Sequence, residues 1–258
     1  MLGRMTIEYV DLETARAASG TRIVVTSLVP SPWSEALKGL LAITGLPALG
    51  VRRARDNQQA IDAWTGIDNV PAVAHEREPV RSNWAAIVGL VHRLAPDRGL
   101  LPADVAARAE AMGTLEMIAG EGGVGWNGRL AMIDASLTSG GSIGFPLPVG
   151  QFLAPRYGYS REAMAEARER VPAQLGHLAD RLRGDYFGGA APDAIDVYCA
   201  TFLTPILASL ETECPSVSPT LRAAFESAGT AFRASVPGAL IAHRERMFTR
   251  HLARPIVL

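Results

Sequence analysis

The sequence predicts an α/β unit with a mixed four-stranded sheet followed by an all-α unit. Three observations carry this. Runs of β-branched residues bounded by Gly and Pro occur only before residue 96. A turn-rich connector, Pro96-Asp-Arg-Gly-Leu-Leu-Pro102, interrupts the chain there. Beyond it the apolar residues recur at helical spacing and no run reads as a strand. The expected divisions are an N-terminal arm over 1–20, the α/β unit over 21–96, a linker over 97–102 and the helical unit over 103–258.

In order along the chain, Ile7, Tyr9 and Val10 suit either an arm or an additional strand. Arg22 to Leu28, between Gly20 and Pro30, reads as a buried strand. Pro32 to Thr44 reads as a helix: Pro32 suits the first helical position, and Gly45 followed by Pro47 ends it. Leu49 to Arg55 reads as a second strand and Gln58 to Trp64 as a short helix or turn. Ala72 to His75 and Pro79-Val80 read as a hairpin. Ser82 to Leu94 carries Trp84, Ile87, Val88, Val91 and Leu94 at helical spacing, with Pro96 as the stop. Helices are then expected near 103–120, 126–139, 149–157, 160–183, 193–210, 218–233 and 237–250. The clearest start is Asp193-Ala-Ile-Asp196, a capping pattern opening an apolar run through Val197, Tyr198 and Phe202, which predicts a buried, central helix.

Bulk composition narrows the function. The 258 residues are 48% hydrophobic and 20% charged, with a net charge of −1. That balance supplies a core and argues against a surface made for nucleic acid or anionic lipid. Cys199 and Cys214 stand alone, without metal-ligand or disulfide-framework spacing, and five scattered histidines suggest no metal site. No apolar run is long enough to span a membrane. A cytoplasmic protein acting on a small molecule is the expectation. Gly120-Glu-Gly-Gly-Val-Gly125 fits the GxGxxG pattern, but helical sequence precedes it and no acidic residue follows at the required distance, so a break between two helices is expected instead.

The chemistry concentrates at Ser31. A hydroxyl directly after a strand and at the mouth of a helix meets that helix's partial positive charge and free N–H groups, a setting that favours a thiolate, carboxylate or phosphate. Taken alone, such a serine is more often a plain helix cap. Lys38, the only lysine, lies one to two turns further on and is expected to end in solvent.

These pieces resemble the glutathione transferase superfamily over roughly residues 21–250, with a thioredoxin-like first unit. Ser31-Pro32-Trp33 is similar to the Ser-Pro-Phe of serine-type tau-like members and to the Cys-Pro-aromatic of omega-like and glutaredoxin-like ones. The likeness is to tau, zeta and omega-like bacterial members. Val70-Pro71 resembles the family's Val-Pro step, whose proline is cis and whose preceding backbone meets the cysteinyl part of glutathione. Arg81-Ser82 falls where the family has Glu-Ser or Gln-Ser at the γ-glutamyl end, and Asp193 to Asp196 falls at its capping box. The resemblance implies a homodimeric, glutathione-dependent transferase, or a related lyase or isomerase. In it Ser31 stabilises the cofactor thiolate while Trp33, Val70, Pro71, Arg81 and Ser82 hold glutathione. Trp126 and Arg129 are candidates for the pocket of an apolar electrophile. Arg81 departs from the family pair and either clamps a carboxylate or excludes the usual pose, which keeps a non-catalytic ligand- or protein-binding scaffold as the alternative. Disulfide reduction is weaker, because position 31 is not cysteine. The apolar tail after Leu252 is expected to pack on the helical unit or to cover the pocket.

Overall fold

A computed structural model describes residues 7–207 and 210–258, the side chain of Leu210 apart. The first half contains β1 (Ile7–Tyr9), α1 (Leu12–Ala17), β2 (Thr21–Thr26), α2 (Pro32–Thr44), β3 (Ala48–Arg53), α3 (Gln58–Thr65), β4 (Ala72–His75) and α4 (Trp84–Leu94). The second half is helical: α5 (Val105–Ala119), α6 (Val124–Thr138), α7 (Leu147–Leu153), α8 (Arg161–Arg181), α9 (Ala194–Phe202), α10 (Thr204–Leu207), α11 (Leu210–Glu213), α12 (Pro219–Phe232) and α13 (Gly238–Arg250).

The sheet is mixed and four-stranded, in the order β1-β3-β2-β4. β1 and β2 flank β3 in parallel, and β4 runs antiparallel to β2. Its membership differs from the sequence expectation at two places. Pro79-Val80 does not form a hairpin strand, because Pro79 has no N–H to donate; only an isolated bridge between Val73 and Arg81 survives. The fourth strand comes instead from Ile7–Tyr9, the segment whose sequence suits either an arm or an additional strand. Ile7–Tyr9 lies on the open edge of β3, where Gly50 makes room: a Cβ there would come within 2.9 Å of both Ile7 and the Tyr9 ring. Alternation along β2 then divides the apolar residues. Ile23 and Val25 face Leu37, Leu40 and Ile87 of α2 and α4, while Val24 faces Ala15 and Ile61 of α1 and α3.

The larger of these two cores runs without a break into the helical half. α9 is its centre and is buried along its whole length. An aromatic series joins the halves: Trp84 meets Tyr198 edge-on at 6.3 Å, Tyr198 stacks on Phe202 at 5.6 Å, and Trp33 meets Phe202 edge-on at 4.9 Å. Gly125 is required here, since a Cβ would lie 2.3 Å from the Phe202 ring. Gly125→Val is therefore expected to cost about 1–3 kcal/mol, read from chemical denaturation.

The predicted capping box forms. The Asp193 carboxylate accepts from Ile195 N and Asp196 N, and Asp196 Oδ2 accepts from Asp193 N at 2.9 Å. Asp196 Oδ1 also accepts from Phe187 N at 3.0 Å and lies 2.7 Å from His243 Nε2, with both side chains fully buried. Burial and the adjacent Asp196 charge push the Asp193 carboxyl above its ordinary range. The folded state thus holds a proton that the unfolded chain releases near its ordinary value. This stabilisation is complete below the ordinary carboxylate pKa of about 4 and is lost as pH rises from there through the raised folded value. Asp193→Asn keeps a capping oxygen, so the difference in stability between it and the parent should change over that window, measured by melts across pH.

Lys38 does not end in solvent. It is 5% exposed, lies 2.6 Å from Glu35, and donates to the carbonyl of Val257 at 2.6 Å. Burial pushes the Glu35 carboxyl up. The tail responsible packs on α2 as well as on the helical half, with Ile256 N donating to Glu213 O at 2.8 Å. It does not cover the cleft described next, whose lining contains no residue after Leu221. Ending the chain at Leu252 removes the Lys38 acceptor and a buried isoleucine. A loss of about 2–4 kcal/mol is expected, seen as a lowered Tm.

Candidate functional site

Between the two halves lies a cleft of about 780 Å³. Its first wall begins where β2 ends. Leu28, with φ 57°, turns the chain back in a conformation rare for a branched residue; Thr26 Oγ1 donates to Val29 O at 3.2 Å and Ser31 N donates to the same carbonyl at 2.8 Å. This closed loop sets Ser31 at the N-cap of α2, with Pro32 at the first helical position. The carbonyl of Ser31 accepts from Glu35 N at 2.9 Å, but its side chain makes no capping hydrogen bond. The hydroxyl is therefore not used as an ordinary helix cap, and Ser31, only 7% exposed, lines the cleft.

Val70 and Pro71 line the same wall across a cis peptide bond. The Val70 N–H is engaged by Asn69 Oδ1 at 2.9 Å, an exposed contact with the preceding side chain that a ligand would have to displace. Ser82 lines the cleft beside Asn83, the N-cap of α4, whose Oδ1 accepts from Ala85 N at 2.9 Å. Two helix N-termini thus open onto one cavity, and their positive ends favour an anion there.

Arg81 departs from its expected role. It does not line the cleft; Glu78, three residues earlier, takes its Nη2 at 2.7 Å, and Nη1 donates to Pro79 O at 3.1 Å. Arg93 of α4 joins the same carboxylate at 2.6 Å, and the two guanidinium groups hold the Glu78 carboxyl below its usual range. The local turn supplied a partner that outcompetes an open cavity. Ser82 is the member of the pair left at the site.

Trp33 has two duties. Its Nε1 donates to Ala119 O at 3.1 Å, tying α2 to the end of α5, while the residue also borders the cleft. The opposite wall comes from the helical half. Trp126 and Arg129, three apart on one face of α6, both reach it, and Trp126 Nε1 donates to Tyr157 O at 3.1 Å. Phe145, Val149 and Leu153 add apolar surface from the segment around α7, and Ser218 and Leu221 border it from the start of α12. The Gly120–Gly123 stretch is the turn joining α5 to α6. The sequence did not point to Asn69, Glu116, Phe145 or Tyr157, which also line the cleft. Asn83 did carry a signal, a capping residue directly before an apolar run.

No protein-family model matches the sequence, and no curated protein matches it. Solved structures do. The chain is similar to glutathione transferase Omega 3C from Trametes versicolor, at 15% identity over 90% of this chain and 91% of that one, with a TM-score of 0.53. It is similar to a glutathione transferase family member from Pseudomonas fluorescens pf-5 with two glutathione bound, at 16% identity over 88% and 93%, TM-score 0.55. It is also similar to the beta-etherase LigF from Sphingobium sp. strain SYK-6, at 17% identity over 88% and 99%, TM-score 0.55. Such identities speak to architecture: a thioredoxin-like first half and a helical second half, in the fold of the glutathione transferase superfamily.

Proposed function

We propose that this protein is a glutathione-dependent transferase, with Ser31 stabilising the glutathione thiolate for attack on an electrophile held against the helical half. The observation that carries this is the Ser31 hydroxyl, uncommitted to capping and open to a large cleft at a helix N-terminus. A thiol with an ordinary pKa near 8.5 needs about 2.7 kcal/mol of differential stabilisation to fall by two units. A hydroxyl donating to sulfur together with the helix dipole is of that size. The N-terminus of α4 and Ser82 suit the γ-glutamyl carboxylate, and the backbone beside Pro71 suits the cysteinyl amide. The thiol proton leaves to solvent, the electron pair on sulfur forms the new bond, and the electrophile's leaving group departs with the electrons of the bond it breaks. Cys199 and Cys214 are buried and unpaired, which fits a reducing compartment such as the cytoplasm. A homodimer belongs to the same proposal and is read by sedimentation.

The decisive experiment titrates the thiol in the glutathione complex by ultraviolet absorbance. The midpoint should lie about two units below that of free glutathione, and Ser31→Ala should raise it. The withdrawal of Arg81 favours a second reading, a scaffold with this fold and no catalysis. Calorimetry separates the two, since absence of glutathione binding at millimolar concentration would favour the scaffold.

A further inference from the structure

We infer that the helical wall of the cleft recognises an aromatic carboxylate, with Arg129 as the residue that selects it. The reaction part of this inference rests on the proposed function; the ligand part does not. Arg129 projects from α6 into the cleft, and its guanidinium carbon lies 5.4 Å from the centre of the Phe145 ring and 5.9 Å from that of Tyr157. Those rings hold the side chain in place without satisfying it. Of the five N–H donors of an arginine, a single one finds a hydrogen-bond acceptor among the described residues: Nη1 meets Met132 Sδ at 3.9 Å, a weak thioether acceptor. Among the described residues no carboxylate pairs with it. The contrast inside this chain is clear: Arg53, Arg81 and Arg244 are each bound to a carboxylate within 2.8 Å.

A half-buried, positioned and unpaired guanidinium facing a cavity is a receptor for an anion. The choice of anion follows from its surroundings. Arg129 offers one planar fork, matching the two oxygens of a carboxylate. Glu116, at the end of α5, and Glu121, in the turn beyond, also line the cleft, and their charges repel a dianion such as phosphate more than a singly charged carboxylate. The body of the ligand is set by Trp126 and Tyr157, whose rings lie 4.6 Å apart, and by Phe145. Together they form an aromatic wall continuous with the guanidinium, suited to a flat ring bearing the acid.

The test compares an acid with its own ester. Binding of 3-nitrobenzoate, a monoanion, and of its neutral methyl ester is measured by calorimetry, without glutathione, in the parent protein, Arg129→Met and Arg129→Lys. The parent should bind the acid about tenfold to a hundredfold more tightly than the ester, the size of a charge-assisted fork. Arg129→Met should bring the ratio near one, and Arg129→Lys should keep part of it. Equal binding of acid and ester by the parent overturns the inference, and so does a ratio unchanged in Arg129→Met, which would put the acid at the α2 or α4 N-terminus. A second arm uses 4-chloro-3-nitrobenzoate and its methyl ester with glutathione, each rate divided by its uncatalysed rate. There the sulfur pair forms the C–S bond, the C–Cl bond breaks with its electrons leaving on chloride, and the thiol proton goes to buffer. Acid-selective binding without turnover would reject the transferase reading and leave the carboxylate site standing. Turnover with no preference for the acid would do the reverse.

Discussion

Asp196→Ala is expected to destabilise the protein by about 3–5 kcal/mol, a large share of the 5–15 kcal/mol typical of a folded protein. Asp196 is fully buried, and its two oxygens accept from Phe187 N and Asp193 N while meeting His243 Nε2. Alanine leaves two backbone amides and an imidazole buried with no acceptor, each costing about 1–3 kcal/mol. It also abolishes one half of the capping box that starts α9, the helix on which both halves pack. Asp196→Asn keeps an oxygen for one amide and should lose less. Denaturant titration reads both, and a loss under 1 kcal/mol for the alanine variant would show that solvent reaches this site.

Ser31→Ala is expected to lower kcat/KM for thiol conjugation by about tenfold to a hundredfold, the value of a hydrogen bond to a charged sulfur at about 1.5–3 kcal/mol. Its stability should change little, because the hydroxyl makes no capping bond that alanine would remove. The combination matters: a plain cap would lose stability and leave turnover alone. Ser31→Cys gives the sharper contrast. A cysteine there stands at a helix N-terminus, where its own thiolate is favoured, so oxidised glutathione should form a mixed disulfide with the variant and not with the parent. Mass spectrometry reads this directly. Unchanged turnover in Ser31→Ala would remove the assigned role.

Much of this protein was legible in the order of its residues, because the signals concerned were local. The α2 boundaries follow from Pro32 and Gly45, the α9 start from Asp193 and Asp196, and the placement of Ser31, Val70, Pro71 and Ser82 around one cleft from the motifs that carry them. Each depends on contacts within a few residues. What the sequence left open or misplaced depended on partners far away in the chain or on competition between neighbours. Ile7–Tyr9 becomes a strand because β3 offers an edge and Gly50 a space; Lys38 is buried with Glu35 beside it and Val257, 219 residues later, as its acceptor. Arg81 faced a choice between an open cavity and Glu78, and the nearer carboxylate won. By itself the sequence determined where α2 begins and ends, where α9 begins and which hydroxyl stands at a helix mouth, because dihedral preference and capping act over one turn; the helix expected over 193–210 instead stops at Phe202 and continues as the short α10 and α11. Only the tertiary structure decided that Arg129 stands within 6 Å of two aromatic rings with no carboxylate on its fork among the described residues, because Phe145 and Tyr157 reach it through packing that no local pattern encodes.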